Sequence, residues 1–107
     1  MAAYLIANID VKDAAAYEEY KAKVPAIVAK YGGEYLARGG RFVILEGEWK
    51  PSRVAVLRFP DIESAQALYN DPEYEPLKTL RKRVTRTDFV VGRGRVKLVS
   101  EMRDDVG

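Results

Sequence analysis

The side chains able to do chemistry in this chain are few, because it contains no histidine and no cysteine. That removes thiol nucleophiles, Ser-His-Asp triads, Cys/His zinc sites, disulfides and His-ligated haem together. Arginines, carboxylates and phenols remain. Arg38 is the leading candidate, since a guanidinium in an enclosed pocket can hold a carboxylate or enolate bidentately and stays charged at any physiological pH. It reads equally well as half of a structural ion pair with Glu46 or Asp88. Glu46 becomes a general base where desolvation raises its pKa, and is otherwise a solvated or salt-bridged carboxylate at a strand end. Asp88 serves as a pocket acid or, following Thr87 at a strand start, caps a turn. Tyr4 and Asn8 can hydrogen-bond a phenolic or carbonyl oxygen, Arg58 adds a second cation, and Trp49 in a loop closes over a ligand or plugs an interface seam. No carboxylate cluster has metal-ligand spacing, so neither a metal nor an organic cofactor is expected.

These residues must be positioned by regular elements, and hydrophobic periodicity gives their order. Ala3 to Ile9 reads as a strand with apolar residues on both faces. Asp13 then supplies an N-cap, and Tyr17, Tyr20, Val24, Ile27, Val28 and Tyr31 recur at steps of three and four, one amphipathic helical stripe. Pro25 predicts a kink or a new helical start, and Gly32-Gly33 a C-terminal stop. Glu34 to Arg38 reads as a strand, Gly39-Gly40 as a bulge or turn, and Arg41 to Glu46 as its continuation or a paired strand. Arg53 to Phe59 is the next strand, and Asp61 caps a second helix with Ile62, Ala65, Leu68 and Tyr69 buried. A further helical segment from Pro72 to Val84 shows Tyr74, Leu77, Leu80, Arg81 and Val84 on one side. Thr87 to Val91 is the last core strand, Gly92 to Arg95 a flexible break, and Val96 to Val99 a possible edge strand before a frayed polar tail.

The order βαββαβ with unknotted right-handed connections predicts an α+β, ferredoxin-like domain: an antiparallel four-stranded sheet with its helices on one face. The domain is expected over residues 1–94, with a C-terminal extension over 95–107. Leu5, Ala7, Ile9, Ala55, Leu57, Phe59, Phe89 and Val91 would pack under the helices. The opposite alternation set contains Tyr4, Ile6, Asn8, Leu36, Arg38, Val54, Val56, Arg58, Asp88 and Val90. That set has too many aliphatic members for a solvated face and too many polar ones for a dry core. A second copy of the chain, laid over an enclosed polar pocket, would satisfy both demands, so a homodimer is expected.

Several spaced motifs then carry a resemblance. Tyr31-Gly32-Gly33-Glu34-Tyr35-Leu36-Ala37-Arg38-Gly39-Gly40, Leu45-Glu46-Gly47-Glu48-Trp49-Lys50-Pro51, Phe59-Pro60 and Asp71-Pro72-Glu73-Tyr74-Glu75-Pro76-Leu77 resemble the uncharacterised DUF1330 family over about Tyr4 to Val91. The resemblance implies membership of the dimeric α/β-barrel superfamily, whose relatives include cofactor-independent monooxygenases, muconolactone isomerases and haem-binding dismutases. The family itself has no settled activity. Its recurrent Leu-Ala-Arg-Gly-Gly arginine falls on Arg38, and its Glu-Gly-x-Trp motif on Glu46, Gly47 and Trp49. The basic stretch from Arg81 and the tail after Gly94 depart from the pattern.

Composition bounds the partners. With 107 residues, 48% hydrophobic and 32% charged, the chain has the make-up of one ordinary globular domain. No window approaches the ~20 apolar residues of a membrane span, and Met1 to Ile6 carries no secretory-signal pattern, so a cytoplasmic location is expected. The net charge of +2 is small, yet Lys78 to Lys97 holds eight basic residues against one acid, Asp88, an excess able to touch an anion. Arg38 to Leu45 echoes part of an RNA-binding RNP1 motif. It sits in the wrong strand, however, with Gly and Leu where two stacking aromatics belong, which argues against a nucleic-acid partner. Two readings remain: a cofactor-independent enzyme acting on a small anionic or phenolic substrate under the dimer, and a non-catalytic ligand-binding or structural dimer.

Overall fold

The structure, a computed structural model, describes residues 1–94. Four strands and three helices follow one another as β1 (Ala3–Val11), α1 (Ala14–Lys30), β2 (Glu34–Arg38), β3 (Val54–Phe59), α2 (Ile62–Tyr69), α3 (Glu75–Val84) and β4 (Thr85–Arg93). The sheet order is β2-β3-β1-β4 with every neighbouring pair antiparallel, the split βαβ arrangement that the element order predicts.

Local chemistry sets the element ends. The Asp13 carboxylate accepts from the Ala16 N–H at 3.1 Å and the Asp61 carboxylate from the Ser64 N–H at 2.7 Å, so both predicted N-caps form. At the end of α1, the Gly33 N–H donates to the Val28 carbonyl at 2.9 Å, with Gly32 at φ 74°. Gly33 is required for a different reason: a Cβ there would lie 2.6 Å from Phe59 Cε1 and 2.7 Å from Val28 Cγ1. The chain turns into β2 only because that space is empty.

Pro25 neither kinks α1 into two elements nor starts a new one; the helix runs through it. The missing N–H leaves the Lys21 carbonyl without its helical donor. Arg38 Nη2 donates to that carbonyl at 3.2 Å from β2 and takes the place of the lost bond.

The core lies between the helices and one sheet face. Ala7, Ile9, Ala55, Leu57 and Phe59 from the sheet are buried against Tyr17, Tyr20, Val24, Val28, Leu68, Tyr74, Leu77 and Val84. At its base, Asp71 is only 4% exposed and ties the α2–α3 turn to α1. Its carboxylate accepts from the Tyr31 hydroxyl, from Lys30 Nζ at 2.9 Å and from the Glu73 N–H at 2.7 Å. Those donors, the Tyr31 hydroxyl first, pull its pKa from 3.8 to about 2. A lowered folded-state pKa stabilises the fold above the unfolded value and loses that contribution as pH falls through the folded one. Asp71→Asn is therefore expected to flatten the acid limb of stability between about pH 4 and pH 2, read as urea midpoints across that range. An unchanged limb would remove Asp71 as its source.

Three expectations differ from the fold. Arg41 to Glu46 forms no strand: Gly39 and Gly40, at φ 70° and 106°, turn the chain away from β2, and residues 41–50 are exposed. Gly92 and Arg93 are part of β4 rather than a break, because β1 extends far enough to pair Ala3 with Arg93 and Tyr4 with Gly92. The possible strand at Val96 to Val99 lies outside the described residues. The third difference bears on the site. β2 carries a bulge, so Tyr35 pairs with Leu57, Ala37 with Val56 and Arg38 with Ala55. One extra residue switches every later side chain to the other face. Arg38 therefore shares the helix side with Ala55 and Leu57, not the outer face expected from simple alternation.

Candidate functional site

The bulge delivers Arg38 to a cleft between α1 and the sheet. The cavity there measures about 60 Å³ and is lined by aliphatic side chains, by phenols that include Tyr17, Tyr20, Tyr35 and Tyr74, and by the cations Lys21, Arg38 and Arg53. Arg38 is exposed and Arg53 half-buried, which puts the mouth at the end where β2 leaves and β3 begins. The Arg38 guanidinium lies 4.6 Å over the Tyr35 ring, and that of Arg53 lies 5.6 Å over the Tyr17 ring. Neither makes a salt bridge to a carboxylate among the described residues.

Tyr17, Tyr20 and Tyr35 are held as neutral hydroxyl groups. Burial pushes the Tyr17 hydroxyl up in pKa, with Arg53, Arg38 and Arg81 pulling it partly back. Burial, reinforced by Tyr74, raises Tyr20 much further, and the two hydroxyls share a hydrogen bond of 2.8 Å. Tyr35 is likewise raised by burial. Among the described residues no Asp or Glu lines the cavity. An arrangement of fixed cations and neutral O–H donors without a base can bind an oxyanion and stabilise charge developing on it.

The remaining sequence candidates lie elsewhere. Tyr4, Asn8, Arg58 and Asp88 stand on the outer sheet face, where Tyr4 pairs across strands with Arg58, and Asn8 with Asp88. Asp88 is paired with Arg86 at 3.1 Å, and Arg58 approaches Glu34 at 3.8 Å, with the four side chains largely open to solvent. Asn8 Oδ1 is buried and accepts no hydrogen bond among the described residues. Glu46 and Trp49 are exposed in the loop between β2 and β3. Arg38 therefore does not converge with Asn8, Glu46 or Asp88. Among the described residues, no three carboxylates gather as a metal ion requires.

Sequence reasoning did not single out Arg53 and Tyr35, which line the cavity, or Arg81, which stacks on the cavity-lining Phe89, and two of the three left a signal. Arg53 has the same parity as Ala55, Leu57 and Phe59, so it belongs to the helix-facing set of β3. Arg81 stands in the stripe of Leu77, Leu80 and Val84, a buried position for a charged residue.

A sequence profile described as a domain of unknown function, DUF1330, matches residues 2–95. The chain belongs to the DUF1330 family. No curated protein matches this DUF1330 chain in sequence. Among solved structures it resembles a protein of unknown function from Rhodopseudomonas palustris, at 14% identity over 90% of this chain and 84% of the other, with a TM-score of 0.76. SnoaB, a cofactor-independent oxygenase from Streptomyces nogalater, matches at 17% identity over 92% and 97%, with a TM-score of 0.65. A dimeric ferredoxin-like protein of unknown function from Jannaschia sp. matches at 12% identity over 88% and 100%, with a TM-score of 0.70. At such identities the likeness carries the ferredoxin-like fold. No helix among the described residues of the DUF1330 chain is long and apolar enough to cross a membrane.

Proposed function

We propose that this DUF1330 protein binds a small oxygen-bearing organic molecule in the cleft between α1 and the sheet, and acts on it without a cofactor. One observation carries the reading: two guanidinium groups, Arg38 and Arg53, flank a cavity whose other polar side chains are phenols and Lys21, and neither guanidinium is neutralised by a carboxylate among the described residues, whereas Lys21 pairs with Glu18. Cations held in a partly apolar site attract an oxyanion far more strongly than they would in water. Among the described residues no carboxylate lines the cleft to act as a general base, which favours a substrate acidic enough to lose its proton to solvent water, with the guanidinium groups stabilising the resulting enolate or phenolate. Pure ligand binding is the second reading, favoured by the same lack of a base. SnoaB makes oxygenation the first reaction class to assay, by oxygen consumption with electron-rich phenols.

Self-association belongs to the same proposal. The outer sheet face leaves Ile6 45% and Val90 64% exposed side by side, and the loop after β2 presents Leu45 at 93% together with Val43 and Trp49. A second copy seated on that face would cover these residues and supply a donor for Asn8 Oδ1, and the Jannaschia sp. neighbour is a dimer of this fold.

Arg38→Ala tests the cleft. Losing one charge-assisted contact should weaken binding of phenol, catechol or salicylate, each entering the cleft by its oxygen-bearing end, by about 10- to 100-fold, read by thermal shift and titration. The same substitution removes the donor to the Lys21 carbonyl, so Arg38→Lys, which restores the charge, is measured alongside. Ligands that stabilise Arg38→Ala as much as the parent would overturn the assignment.

A further inference from the structure

We propose that the ligand enters the cleft as an anion, a compact organic carboxylate, and that its charge is the missing counter-charge of the buried Arg81. This rests on the proposed cleft function and narrows it from oxygen-bearing molecules in general to acids. Arg81 is 3% exposed, unlike its neighbours Lys82 and Arg83, which are exposed on the other side of α3. It forms no salt bridge, and its Nε has no hydrogen-bond partner among the described residues. The guanidinium lies 4.2 Å over the ring of Phe89, and Phe89 lines the cavity. A stacking contact and the C-terminal end of α3 offset part of the cost of burying that charge. They do not replace an anion, because a buried guanidinium without one carries an uncompensated desolvation penalty.

The cleft is where the compensating charge fits. Arg53 lies over the Tyr17 ring and Arg38 beside it at the mouth, Arg81 stacks on the cavity-lining ring of Phe89, and among the described residues no carboxylate lines the cavity. A carboxylate beside Tyr17 would face Arg38 and Arg53 at the mouth and Arg81 behind the wall. Size limits the rest of the ligand. The cavity of about 60 Å³ is smaller than the roughly 150 Å³ that accepts a benzene ring, so it takes a compact acid whole or the acid end of a larger one.

The test compares acetate with acetamide and benzoate with benzamide at constant ionic strength, on the parent, Arg38→Gln, Arg81→Lys and Arg81→Met. The parent should prefer each acid to its amide by about tenfold or more. In Arg81→Met the preference should collapse while stability without ligand is equal or higher, because a buried unpaired charge has been replaced by an apolar side chain of similar length. Arg81→Lys should keep the preference. A structural role for Arg81 predicts the reverse, a less stable Arg81→Met that still prefers acids, and that result overturns the proposal. Should Arg81→Met not fold, the Arg81 Nε–Hε resonance of the parent decides: a shift with acetate but not with acetamide supports the proposal, and none overturns it. If amides and acids bind alike in the parent and binding is lost in Arg38→Gln, the counter-charge idea fails and the cleft reading stands. If nothing binds the cleft, both fail.

Discussion

Truncating Tyr74 to alanine is expected to cost about 3–5 kcal/mol of folding free energy, measured by urea or thermal unfolding. Tyr74 is 1% exposed and lies between α1, α2 and α3, with its ring 6.3 Å from that of Tyr20 and 6.1 Å from that of Tyr69. Removing it opens a cavity in a close-packed core and leaves the Tyr20 hydroxyl buried without its partner. Tyr74→Phe separates the two effects. It keeps the ring and loses only the hydrogen bond, so its cost should be about 1–3 kcal/mol. Because Tyr20 and Tyr74 also line the cleft, a ligand that binds there should raise the stability of the parent more than that of Tyr74→Ala. Equal stability of parent and Tyr74→Ala would mean that Tyr74 does not hold α1 and α3 together.

Why the fold was legible and the site was not comes down to what periodicity encodes. Burial patterns repeat over many residues, so Asp13, Asp61, the α1 stripe and the alternation of β1 and β3 each point to the same architecture. The orientation of one side chain near a strand end does not repeat. The bulge between Tyr35 and Ala37 moves Arg38 from one sheet face to the other, and nothing in Glu34-Tyr35-Leu36-Ala37-Arg38 announces it. Arg38 stands on the face opposite to the one that simple alternation predicts, and its expected companions Asn8 and Asp88 stay behind. The apolar run Phe42 to Leu45 misled for a related reason. It has strand composition, yet a strand needs an edge to pair with, and two left-handed glycines carry it away from β2. Arg81 is the opposite case: its place in the stripe of Leu77, Leu80 and Val84 marks it as buried, while counting it within the basic stretch from Lys78 to Lys97 hides it in a single charge excess.

Moving Arg38 also separates two questions that the sequence joins, assembly and ligand binding, and Ile6→Asp tests the separation. Ile6 sits in the middle of β1 on the outer face, between Val56 and Val90, opposite in direction to the cleft-lining Leu5 and Ala7. If a second copy covers that face, a two-fold axis brings two new carboxylates into one interface, each without a partner. Burying an unpaired charge costs several kcal/mol, and even about 4 kcal/mol in total raises the dissociation constant about a thousandfold. The expected result is a parent of twice the chain mass at micromolar concentration and an Ile6→Asp variant of single mass, by light scattering or sedimentation. The substitution should leave the fold intact, since Ile6 is half-exposed in the single chain and contributes little to the core between sheet and helices. It should also leave acetate binding within about twofold of the parent, because Arg38, Arg53 and Arg81 lie on the helix side of the sheet and a twofold change in Kd is only about 0.4 kcal/mol. A parent that is already monomeric would remove the argument from the outer face. A monomeric variant that no longer binds the acid would show that the second copy completes the cleft, and assembly and chemistry would again be one problem.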